Sequence, residues 1–124
     1  MKINKVLIYG CGLVGGSLAL TLRQHHPHLT IDGVSRSQDS IDYAIQNGVL
    51  DHGSTSLSEL STHYDLAFIA TPIETTPAHI KLVSEHIESP CVLTDVASIK
   101  QTIKDELPKL KPEHTMILGH PMAG

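Results

Sequence analysis

Val6-Leu7-Ile8-Tyr9-Gly10-Cys11-Gly12-Leu13-Val14-Gly15 sets a short apolar run directly against a G-x-G-x-x-G pattern. Short glycine patterns arise by chance, so the flanks decide what this one is. Val6 to Tyr9 reads as a buried strand, and Leu13 to about Gln24 carries helical apolar spacing. A glycine-rich turn between a strand and a helix, at the start of a βαβ unit, is the context in which the pattern has a physical purpose. Gly10 permits the tight turn. Gly12, followed by Leu13 and Val14, lets backbone N–H groups approach a pyrophosphate with no Cβ in the way. Gly15 lets helix and strand pack closely, so that the helix N-terminus directs its partial positive charge at the phosphates.

Outward from that turn, short apolar runs alternate with helical periodicity, the signature of an α/β domain. Thr30 to Val34 reads as a second strand. Ser37 caps a helix with Ile41, Ala44 and Ile45 on one face, stopped by Asn47-Gly48. Ser56-x-x-Glu59 has the form of a capping box opening a short helix. Asp65 to Ala70 is a buried strand ending at Thr71-Pro72. Thr76, Ile80, Val83 and Ile87 stripe the next helix, with Pro77 in its first turn. Cys91 to Thr94 is a strand, Ile99, Ile103 and Leu107 mark a helix, and Thr115 to Leu118 is the last strand. The expectation is a Rossmann-type doubly wound fold, with a mostly parallel sheet and helices on both faces, occupying residues 1–124 as one NAD(P)-binding domain.

Bulk properties narrow the partners. With 9 Lys and Arg against 13 Asp and Glu, the chain carries no basic stripe, so nucleic acid is not an expected partner. Val6 to Leu22 is uncharged, but four glycines interrupt it and a span needs about 20 apolar residues, so no membrane insertion is expected. Cys11 and Cys91 lack CxxC spacing and scaffold density, which suits a reducing cytoplasm. The nine histidines include no HExxH-like spacing, so no metal site is expected. His25, His26 and His28 crowd a loop, while His79 and His86 fall on what reads as the wet face of a helix.

Ligands of open α/β sheets bind beyond the carboxyl ends of the strands. An NAD site places a carboxylate at the end of the second strand for the ribose 2′-OH; here that place holds Ser35, followed by Arg36. A hydroxyl and a guanidinium suit a 2′-phosphate, which favours NADP over NAD. Asp32 falls too early in the strand to reach the ribose. Thr71 and Pro72 stand where they could contact the nicotinamide half. Ser98-x-x-Gln101 is a capping box, a role compatible with presenting the Ser98 hydroxyl to the cleft. His120 follows an apolar strand and precedes Pro121, which holds it extended at the cleft mouth, and an imidazole can accept a proton near neutral pH.

Three segments, Gly10 to Ser17, Thr94-Asp95-Val96-Ala97-Ser98-Ile99-Lys100 and Gly119-His120-Pro121-Met122-Ala123-Gly124, closely resemble signatures of prephenate and arogenate dehydrogenases, in order and with fitting separations. Gly33-Val34-Ser35-Arg36 resembles the strand end of members that use NADP. The resemblance implies an enzyme that passes hydride from a cyclohexadienol to NADP or NAD, with loss of CO2, in tyrosine biosynthesis. It implies that His120 takes the substrate hydroxyl proton and that Ser98 hydrogen-bonds that hydroxyl. Members of the family continue into a helical domain that binds the substrate, prephenate or arogenate, and forms a homodimer. With that domain absent from this chain, weak turnover or none is expected of it. A non-catalytic NAD(P)-binding module or redox sensor is the alternative, which would need neither His120 nor Ser98; a β-hydroxyacid dehydrogenase is a further one, against which the segment from Gly119 to Gly124 argues.

Overall fold

The computed structural model describes residues 2–10, 12–72, 74–95 and 112–118. In chain order these form β1 (Lys5–Tyr9), α1 (Leu13–His25), β2 (Thr30–Val34), α2 (Gln38–Gln46), β3 (His52–Ser54), β4 (Leu66–Ile69), α3 (Thr76–His86), β5 (Val92–Asp95) and β6 (Thr115–Leu118). The described strands make one six-stranded sheet in the order β3-β2-β1-β4-β5-β6, every pairing parallel. The chain starts in the middle and winds outward to one edge, then crosses to the other side of β1. The direction of winding therefore reverses between β1 and β4, the place where doubly wound sheets form their ligand crevice. The fold is the Rossmann-type doubly wound α/β sheet.

β1 lies between two partners and under both helical layers, which is why Val6, Leu7 and Ile8 are all apolar and all fully buried. Alternation assigns them to opposite cores. Val6, Ile8 and Ile31 pack with Ala19 of α1 and Ile41 of α2. Leu7, Val34, Ala67 and Ile69 pack with Ile80 and Val83 of α3. The stripe expected on α3 is the face it buries, Ile87 included.

Four local expectations need correction. β3 has no sequence counterpart in the reading, because three residues, two of them polar, give no periodicity. Its Gly53 is nonetheless fixed by packing: a Cβ there would lie 2.7 Å from Ile41 Cγ2. Ser56-x-x-Glu59 makes no capping bond; a 3-10 turn spans Leu57–Glu59, and the Ser56 hydroxyl pairs with Ser58 Oγ at 2.8 Å. Ile45 is 39% exposed, since Ile41 and Ala44 take the inward face of α2. His79 and His86 are not on a wet face: both are half-buried and hydrogen-bonded, His86 Nε2 lying 2.8 Å from the Ser61 carbonyl oxygen. The cap at Ser37 forms as expected, its Oγ accepting from the Ser40 N–H at 3.2 Å. The helix expected through Ile99, Ile103 and Leu107 lies outside the described residues. No helix among the described residues is long and apolar enough to cross a membrane.

Candidate functional site

The crevice between β1 and β4 is built around glycine. Gly10 follows β1 with φ +96°, a conformation that side chains disfavour, and its N–H donates to the Val34 carbonyl at 2.8 Å. A Cβ at Gly10 would also lie 2.5 Å from Ala70 O and 2.8 Å from Thr71 Cγ2. Backbone twist and the neighbouring strand end thus both demand glycine there. At Gly15 a Cβ would collide with the Gly10 carbonyl oxygen and sit 3.3 Å from Ile8 Cγ2, so α1 rests directly on the turn. Gly12 differs from both. It is exposed, has an ordinary φ of −82°, and a Cβ there would meet no atom of the described residues within 4 Å. Among the described residues, packing does not require glycine at 12.

Gly12 is the N-cap of α1, where no side chain caps the helix and the first turn holds no acidic residue. The first N–H groups of a helix have no intrahelical acceptor. Those belong here to Leu13, Val14 and Gly15, and the first turn holds no carboxylate to repel an anion. An uncapped helix end with open access fits the diphosphate of a dinucleotide. Of Leu13 and Val14 only the backbone is described.

On one flank of the turn, Ser35 follows β2. Its N–H donates to Ser54 O at 3.3 Å, and its Oγ accepts from the Ser37 N–H at 3.3 Å, which leaves the hydroxyl hydrogen uncommitted by those bonds. Arg36 is exposed and forms no ion pair among the described residues. Asp32, two residues inside the strand end, is 2% exposed and fully engaged. One of its oxygens lies 2.9 Å from His52 Nδ1, and the other accepts the Tyr64 hydroxyl at 2.7 Å. Burial, then the hydrogen bond to Asp32, pushes the Tyr64 phenol well above its ordinary pKa, so it stays a donor. Asp32 therefore braces β2, β3 and the lead into β4, away from the crevice.

On the other flank, Thr71 and Pro72 follow β4. The Thr71 hydroxyl lies 3.0 Å from His79 Nδ1 and 3.3 Å from Thr76 Oγ1, and Pro72 is exposed. The His79 ring packs on Tyr9, the last residue of β1, with centroids 4.9 Å apart. From sequence, Tyr9 reads only as the end of the first strand and His79 as part of a wet helix face, and neither is assigned to the site. The available signal was that His79 follows Thr76 by three residues, which puts both on one face of α3. Ser98 and His120 lie outside the described residues. The strands before them, β5 and β6, run parallel in the same sheet with Asp95 opposite Leu118, so both end at the edge that carries the glycine turn.

Comparison with known proteins gives a consistent picture. The family model for the prephenate dehydrogenase nucleotide-binding domain matches residues 18–124. The prephenate dehydrogenase of Bacillus subtilis (strain 168) is 35% identical over 123 residues, covering 98% of this chain and 33% of that protein. Among solved structures, Synechocystis arogenate dehydrogenase superposes with a TM-score of 0.83 at 32% identity, over 97% of this chain and 41% of that one. A prephenate dehydrogenase from A. aeolicus, in complex with hydroxyphenyl propionate and NAD+, superposes with a TM-score of 0.81 at 28% identity, over 100% of this chain and 43% of that one. The chain thus spans about a third of the curated relatives it matches, 33% of the first and 35% of the second.

Proposed function

The chain belongs to the prephenate dehydrogenase nucleotide-binding domain family, and from that premise we propose that it holds NADP, in preference to NAD, for the oxidative decarboxylation of prephenate or arogenate. The observation that carries the reading is the glycine turn: two of its glycines are demanded by packing, while Gly12 faces open space at an uncapped helix end. The backbone amides after Gly12, through Leu13 and Val14 to Gly15, bind the diphosphate, with Gly10 shaping the turn. Ser35 and Arg36 bind the 2′-phosphate, the guanidinium supplying charge that the engaged Asp32 does not oppose at close range. Thr71 and Pro72 border the nicotinamide half.

The coenzyme, when bound, supplies the hydride acceptor. His120 accepts the proton of the substrate hydroxyl, and Ser98 hydrogen-bonds the same hydroxyl and orients the imidazole. Loss of the ring carboxylate as CO2 needs little help from the protein, because the product is aromatic. The relatives carry further chain, to which the resemblance assigns substrate and dimer contacts; this chain by itself is expected to bind coenzyme and to turn over weakly at most. A reducing cytoplasm suits the thiols.

Titration of the chain with NADPH and with NADH, followed by coenzyme fluorescence, tests the reading. NADPH is expected to bind more tightly. Tighter NADH binding would reverse the coenzyme assignment, and binding of neither would remove the dinucleotide function. Any turnover measured should vanish in His120→Ala while NADPH affinity is retained. Dinucleotide binding with turnover indifferent to His120 would point to a non-catalytic binding module.

A further inference from the structure

His79 touches both lips of the crevice. Tyr9, under its ring, closes β1, and Thr71, bonded to its Nδ1, follows β4. The hydroxyls beside it have a preferred direction. Thr76 is fully buried, and its one hydroxyl hydrogen is directed at backbone carbonyls, Pro72 O at 2.9 Å and Thr71 O at 3.1 Å. The Thr76 oxygen can therefore only accept from Thr71, 3.3 Å away. If Thr71 donates to Thr76, the Thr71 oxygen takes its own hydrogen bond from His79 Nδ1–H at 3.0 Å. This direction makes use of all the contacts, whereas the opposite one, Thr71 donating to His79, leaves the 3.3 Å contact between Thr71 and Thr76 without a hydrogen. With its hydrogen turned inward, the Thr71 oxygen keeps one lone pair that these bonds leave uncommitted.

We propose that His79 is a positioning residue: its Nδ1–H fixes the Thr71 hydroxyl as an acceptor for an N–H or O–H donor of the bound dinucleotide, while its ring holds Tyr9 against the glycine turn. The proposal rests on the dinucleotide reading above. Burial lowers the His79 pKa from its ordinary value, which favours the neutral imidazole, with one ring nitrogen protonated.

Two measurements on the 124-residue chain test this. In the free protein, 15N NMR of the imidazole ring is expected to report the Nδ1–H tautomer at His79; the Nε2–H tautomer would overturn the proposal. In NADPH titrations, His79→Asn, whose amide N–H can replace Nδ1–H, should bind within about twofold of wild type. His79→Phe, which keeps a ring on Tyr9 but has no donor, should bind roughly three- to tenfold more weakly. On a Thr71→Val background, His79→Phe should cost nothing further. Wild-type affinity in His79→Phe, or losses that simply add, would refute the positioning role. Failure of the wild-type chain to bind either NADPH or NADH would sink the dinucleotide reading itself, and the free-chain tautomer tells that outcome apart from a broken relay.

Discussion

Gly12 and Gly15 share one motif but answer to different forces, and substitution separates them. Gly15→Ala puts a methyl group into the Gly10 carbonyl, so the helix must shift; the expected cost is about 1–3 kcal/mol in chemical denaturation. Gly12→Ala meets none of the described residues and changes only an N-cap, so stability should fall by about 1 kcal/mol or less while NADPH affinity falls at least about tenfold. Equal damage to folding and binding from both substitutions would refute that division. His79 makes a pH prediction. Its folded-state pKa is depressed by burial, so its contribution to stability is complete above the unfolded value of about 6.5 and is lost as pH falls through the lower folded value. Urea midpoints of the wild type should therefore drop below about pH 6.5 more steeply than those of His79→Phe. Cys91 is buried, and burial followed by the Asp65 charge pushes its thiol up to about 12, so the native protein should leave it unmodified by thiol reagents at pH 7.

At the level of elements, α2 shows a local rule acting as written: Ser37→Ala removes the bond to the Ser40 N–H and should cost about 1 kcal/mol, read from thermal unfolding by circular dichroism. The same rule failed at Ser56, where a neighbouring serine captured the hydroxyl that a capping box would use. The difference explains what the sequence disclosed. β1, β2, β6 and α3 were legible because each presents enough residues for a period to emerge, and β2 and β6 begin and end where they were expected. β3 was illegible because its place depends on Gly53 fitting under Ile41, a tertiary fact. His79 and His86 were misjudged for a related reason: one bonds the Thr71 hydroxyl and the other the Ser61 carbonyl, and such partners leave no trace in spacing. Of the candidate site, the glycine turn was legible because φ and close approach admit one residue type; Tyr9 and His79 were not, because aromatic side chains are equally at home in a core.

For the whole molecule, the reversal of winding between β1 and β4 gathers the turn, Ser35 and Thr71 at one sheet edge although they are far apart in sequence. Ligand binding there should couple to global stability: NADPH at a hundred times its Kd adds about 2.7 kcal/mol, a rise in Tm on the order of 10 °C for a domain of this size. No shift with NADPH or NADH would contradict a site formed only in the folded sheet. The Asp32 brace carries a lesson for redesign. Because both carboxylate oxygens are already bonded to His52 and Tyr64, coenzyme choice can be rewritten without touching the scaffold. Ser35→Asp paired with Arg36→Ala should raise affinity for NADH relative to NADPH at near-native Tm, whereas editing residue 32 would remove the bonds that tie β2 to β3 and to the lead into β4.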